Sequence, residues 1–202
     1  MKKLKNIAII IILNLVVYSC SGQKSDIIIK DCSQNKLNNN IYKINPNKEN
    51  HFYLAMSEIE NFLNQEQGNN KINKKTYSSL ILFLENNIYN NKDKNNIYYN
   101  KISQILEQNN VSPISIIGES NTLIFDCFFN ENNQSKDLAI RDENLILYTE
   151  KANYIYANAG LSYSNKEIID LMNTIPNNKF KSILYRTPLI LMIYENLHQN
   201  KN

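Results

Sequence analysis

From His51 onward the apolar residues recur at steps of three and four. Phe52, Ala55, Met56, Ile59, Phe62 and Leu63 form one such stripe, and Gly68 is placed to end it. Tyr77, Leu80, Ile81, Leu84 and Ile88 form a second, after Thr76, a residue suited to an N-cap. Tyr98, Ile102, Ile105 and Leu106 form a third. Ser164 and Glu167 have the spacing of a capping box, in which each side chain satisfies a backbone N–H that a first helical turn leaves unpaired. Ile168, Leu171, Met172 and Ile175 then share a face, and Pro176 stops it. Phe180, Ile183 and Leu184 open a last stripe, continued by Leu191, Tyr194 and Leu197. Within it, Thr187-Pro188 predicts either a kink or a restart with Pro188 in the first turn. The pattern predicts helices over 51–66, 76–90, 96–109, 164–175 and 178–198 around a shared apolar core.

Residues 112–160 are less decided. Ser112-Pro113 suits a helix start, and 135–160 can form one long helix. Yet Ile114–Ile117, Thr122–Phe129 and Leu145–Tyr148 are rich in β-branched and aromatic residues, with turn-forming segments at 118–121 and 141–144. The fold expected is mainly α, a helical bundle, with an α+β domain carrying short strands within 112–150 as the alternative. Gly and Pro number only four each, which is sparse for an all-β chain with many tight turns. Asn, Lys and Ile are abundant, and Trp is absent.

Ahead of the helical pattern the chain is polar. Residues 20–50 are asparagine-rich apart from Ile27, Ile28 and Ile29, and read as a tether with a span of about 30 Å. The isoleucine triplet could instead dock as a short strand. Residues 1–19 have another character. Lys2, Lys3 and Lys5 precede an apolar run from Ile7 to Val17, broken only by Asn14. That run is short of the roughly 20 apolar residues that span a bilayer. A charged start, a short apolar core and a small-residue exit make a secretory signal. The exit, Val17-Tyr18-Ser19-Cys20, resembles the lipobox of bacterial lipoproteins. The resemblance covers only the first twenty residues. It implies that Cys20 receives a lipid and becomes the mature N-terminus, anchored to a membrane of the bacterial cell envelope and facing the periplasm or the exterior. The organisation expected is a signal peptide over 1–19, a lipidated cysteine and tether over 20–50, and a single helical domain over 51–202.

Charge follows the same division. The chain has 22 basic and 19 acidic residues, a formal net charge of +3. The three lysines of the signal account for that excess, so the remainder is balanced. Nucleic acid binding thereby loses its main driving force. Attachment to the membrane falls to the lipid on Cys20.

Catalytic signatures are few. His51 and His198 are the only histidines, and neither has neighbours at metal-ligand spacing. His198, in the last turn of a predicted helix, suits the helix dipole. No nucleophile elbow, phosphate-binding loop or dinucleotide fingerprint is present, and no metal or cofactor is expected. Carboxylate pairs are set by space and not by spacing, so an unrecognised acid site stays open. Glu58, Glu60, Glu107, Asp142 and Glu143 read as residues of polar faces or loops.

With Cys20 assigned to lipid, Cys32 and Cys127 remain as an even pair in an oxidising compartment. A disulfide would close a long loop and contribute up to about 4.7 kcal/mol. Nothing in the sequence fixes their separation, and two free thiols are expected. Among thirteen tyrosines, Tyr98, Tyr99, Tyr154, Tyr156 and Tyr163 are the candidate contact surface, since tyrosine pairs an apolar body with a polar tip. The function expected is an envelope lipoprotein that binds another envelope or secreted protein. An inhibitor or immunity factor that neutralises a rival's toxin is one such kind. The alternative is an envelope hydrolase with an unrecognised carboxylate site.

Overall fold

The apolar stripes become helices packed around one buried helix. A computed structural model describes residues 26–39, 42–69, 71–118, 122–128, 143–158 and 162–201. Residues 1–19, where a signal peptide is expected, lie outside the described residues, as do Cys20 and Asp142. In chain order the helices are α1 (26–37), α2 (Phe52–Glu66), α3 (Lys74–Leu84), α4 (Lys92–Gln108), α5 (122–128), α6 (Glu143–Asn158), α7 (Asn165–Thr174) and α8 (Ile183–Gln199). Among the described residues there is no strand, and the mainly α expectation holds. No helix among them is long and apolar enough to cross a membrane.

The α2 stripe is buried as the periodicity requires. Phe52, Ala55, Met56, Ile59 and Leu63 are all fully or almost fully enclosed. Gly68, at φ +75°, supplies the left-handed residue that follows the helix end. Helix α3 starts earlier than expected. Its cap is Asn73, whose side chain accepts from Thr76 N at 3.1 Å, while Asn73 N donates to Thr76 Oγ1 at 3.0 Å. Thr76 is therefore the third residue of a reciprocal box and not the cap. Asn caps as well as Thr does, and only Asn73 has Thr76 three residues ahead of it. Past Leu84 the helix widens into a π turn over Glu85–Tyr89. The Ser164–Glu167 box of α7 is present, with Glu167 N donating to Ser164 Oγ at 3.2 Å.

Helix α8 is the centre. Every residue from Leu184 to Leu197 is buried, which is the state of a helix surrounded on all sides. It packs against α2, α4 and α7. Pro188 neither restarts nor ends it, and the helix runs through. Thr187 Oγ1 donates to Ile183 O at 2.9 Å beside the missing proline N–H.

Two expectations need correction. Residues 26–39 and 42–50 are not a tether hanging off the domain. Helix α1 turns Ile29, Ser33 and Leu37 inward, all fully buried, and leaves Ile27 and Ile28 outside. Ser33 Oγ meets the Tyr53 hydroxyl, and Asn50 Nδ2 donates to Leu37 O at 2.6 Å, closing the end of α1. One inward face at four-residue steps suffices to dock a helix, and polar residues around it masked the stripe. Second, Cys32 and Cys127 are joined, with Cα atoms 5.9 Å apart and a separation of 95 positions in sequence. Docking of α1 fixes the distance that the sequence left open. The partner helix α5 then buries Phe125 and Phe128 against Tyr148 of α6 and Tyr185 of α8. The β-rich composition of 122–128 thus serves a helix buried on one side.

Candidate functional site

Among the described residues two carboxylates are buried, and their surroundings differ. Glu60 of α2, read from sequence as a surface acid, is 2% exposed. Its Oε1 accepts from Arg186 Nε at 2.6 Å and from the Tyr77 hydroxyl at 2.8 Å, and its Oε2 accepts from Arg186 Nη2 at 2.8 Å. Arg186 also donates Nη1 to Phe180 O. A two-point guanidinium grip with every oxygen occupied fixes α2 to α8, and leaves that acid nothing with which to hold a ligand.

Glu195 is different. It lies on the last part of α8 and is 6% exposed. The Tyr163 hydroxyl and the Gly118 N–H hydrogen-bond to its carboxyl. Oε2 has no hydrogen-bond partner and is shut off from solvent. Burial raises the carboxyl above the ordinary carboxylate range, and the two hydrogen bonds pull the other way. Gly118 has φ +79°, and a Cβ there would sit 3.2 Å from Tyr156 Oη and 3.8 Å from Glu195 Oε1. The absent side chain lets the backbone come this close. Tyr163 is held in place by its neighbour on α8. Its N–H donates to Asn196 Oδ1 at 2.8 Å, and Asn196 Nδ2 donates to Tyr163 O at 2.7 Å.

The five tyrosines expected to share a contact surface are divided. Tyr156 and Tyr163 meet at Glu195, with ring centroids 6.2 Å apart, and Tyr163 is buried. Tyr98 is buried against Phe62 and donates its hydroxyl to Glu66 Oε2 at 3.0 Å. Tyr99 is half-buried and stacks on Tyr194, with centroids 5.2 Å apart and planes 5° from parallel. Tyr154 alone of the five points outward, at 66% exposure. The common-surface reading is therefore corrected: most of these rings pack between helices, where their apolar bodies are worth more. Leu147, seven residues before Tyr154 on α6, is also more than half exposed. Two helical turns separate them, so they share a face, and Lys151 Nζ lies 5.8 Å from the Tyr154 ring centre and 3.9 Å from Asp170 Oδ2.

Neither histidine gathers metal ligands. His51 is exposed at the start of α2. His198 packs against Tyr99, and its Nδ1 is buried without a partner. Burial and the nearby Lys201 charge lower its basicity, so at neutral pH it is an uncharged ring and not the dipole-facing cation that its position suggested. Among the described residues no group of three or more His, Cys, Asp or Glu could hold a metal ion.

Sequence reasoning missed Glu195 altogether. The available signal was its setting: the only acid in a run from Leu171 to Leu197. No known protein family, curated protein or solved structure matches the chain.

Proposed function

We propose that the chain is an envelope lipoprotein, anchored through Cys20, whose helical body binds another protein, as an inhibitor or immunity-type factor does. The observation that carries the binding reading is the outer face of α6. Leu147 and Tyr154 stand 53% and 66% exposed on one face, with the Lys151 ammonium near the Tyr154 ring. A large aromatic anchor beside an aliphatic one is the composition of an interface centre. The Cys32–Cys127 bond and the docked α1 favour a rigid body, which lowers the cost of ordering on association. Tyr154→Ala with Leu147→Ala is expected to weaken partner capture at least tenfold, by roughly 1.4 kcal/mol or more, without lowering the melting temperature. A photo-crosslinker placed at 154 should give a discrete adduct, and one at the exposed Ile97 of α4 should not. Adducts of equal yield at the two positions, or capture unchanged in the double variant, would sink this reading. The anchor has its own check: palmitate label should follow the wild-type chain and be absent from Cys20→Ala.

A second reading has an observation of its own. Glu195 combines burial, a raised pKa and an unpartnered oxygen, which are properties of a general acid. Turnover of a glycan, peptide or lipid ester that is abolished in Glu195→Gln would make the chain a hydrolase.

A further inference from the structure

Two hollows adjoin at one end of the bundle, on either side of the 3-10 turn Lys179–Lys181. The larger, about 360 Å³, has Ile72 and Phe180 as its apolar part and Lys74, Lys75 and Lys181 around it. Its lining contains no carboxylate. Lys74 Nζ donates to Asn173 O at 3.2 Å, and none of the three lysines has an ion-pair partner among the described residues. The smaller hollow, about 170 Å³, lies between α1 and the start of α8. Its single acid, Asp26, is taken up by Lys179 at 2.7 Å and by the Tyr185 hydroxyl at 2.6 Å.

A balanced total charge conceals this arrangement. The sequence has no acid from Gln67 to Leu84 and none from Leu171 to Tyr194, and these segments supply most of the larger hollow. Apolar side chains accompany the cations: Ile27 is 60% exposed and Ile72 is 37% exposed. Ammonium groups among exposed aliphatic side chains are what a bilayer's headgroup layer accepts. Position adds to composition. From Cys20 to Asp26 the chain reaches at most about 20 Å, even fully extended. A lipid on Cys20 therefore keeps Asp26, and the Lys179 bonded to it, close to the headgroups.

We propose that the hollow formed by Lys74, Lys75 and Lys181 binds the phosphate of anionic lipid headgroups in the membrane that holds the anchor, so that the body docks against that membrane in one orientation. The proposal rests on the lipid-anchor reading and is independent of the protein partner. Lysine suits the task, because it is a point charge that neutralises phosphate without demanding a fixed fork geometry. Each lysine near an anionic leaflet favours attachment about fivefold, an effect that falls off within about 8 Å at physiological salt.

The test uses the full acylated chain in vesicles of phosphatidylcholine alone or of phosphatidylcholine with phosphatidylglycerol. The rate at which each lysine is acetylated by an amine-reactive reagent is read by mass spectrometry. Lys74, Lys75 and Lys181 are expected to react several-fold more slowly when phosphatidylglycerol is present. Lys92 and Lys94, exposed in the first turn of α4, should keep their rates. Lys181→Glu, a change at an exposed position, should restore the rates of Lys74 and Lys75 in anionic vesicles. Equal rates in the two compositions would overturn the proposal. Equal slowing by inorganic phosphate in neutral vesicles would assign the hollow to a free anion and overturn its membrane role. The mass of the Cys20 peptide is read first. An unacylated Cys20 sinks the anchor and the docking together, whereas an acylated Cys20 with unprotected lysines sinks the docking alone.

Discussion

Glu60 and Glu195 show that burial alone does not decide what a carboxylate does. Glu60 is compensated by a two-point guanidinium and a phenol, so it acts as a fastening. Glu195 is left with one bare oxygen, so no partner compensates the burial of its charge there. Its carboxyl titrates higher in the folded protein than in the unfolded chain, because burial disfavours the charge. The folded state then holds the proton more tightly. The stabilisation is fully present below the ordinary carboxylate range and is lost as pH rises through the folded-state value. Wild-type stability, measured by urea unfolding at a series of pH values, should fall across that window relative to Glu195→Gln. Parallel curves for the two proteins would show that this carboxyl is not perturbed by folding.

At the scale of elements, legibility tracked how cleanly a segment separated its apolar and polar faces. Helices α2, α3, α4 and α7 bury the stripes that their spacing announced, and the Ser164 cap was readable because both of its members are local. Ser164→Ala should cost about 1 kcal/mol in urea unfolding. A loss near zero would mean that α7 is held by packing alone. Helix α1 was illegible because its inward face includes Ser33, a polar residue satisfied by the Ile29 carbonyl and the Tyr53 hydroxyl. Helix α5 was ambiguous because Ile124, Phe125 and Phe128 fit a strand's composition and a short helix's spacing equally well. The Glu195 junction was the least legible. It joins Gly118, Tyr156, Tyr163 and α8, which are distant in sequence, and its decisive feature is a hydrogen bond that is not made.

For the whole molecule, the disulfide is the longest covalent constraint. It ties α1, the first of the described helices, to α5, across 95 residues of sequence. Its reduction should destabilise the body by about 2–5 kcal/mol in denaturant unfolding. Mass spectrometry of alkylated, unreduced protein should return a linked Cys32–Cys127 peptide pair, and two alkylated thiols would refute the bond. Helix α8, the element enclosed by α2, α4 and α7, is also made after the seven other described helices. Their apolar faces therefore have no centre to close upon while the ribosome is still working. For the exported chain proposed above, that delay would suit passage through a translocation pore, since the residues that complete the described core are translated behind the helices they hold together.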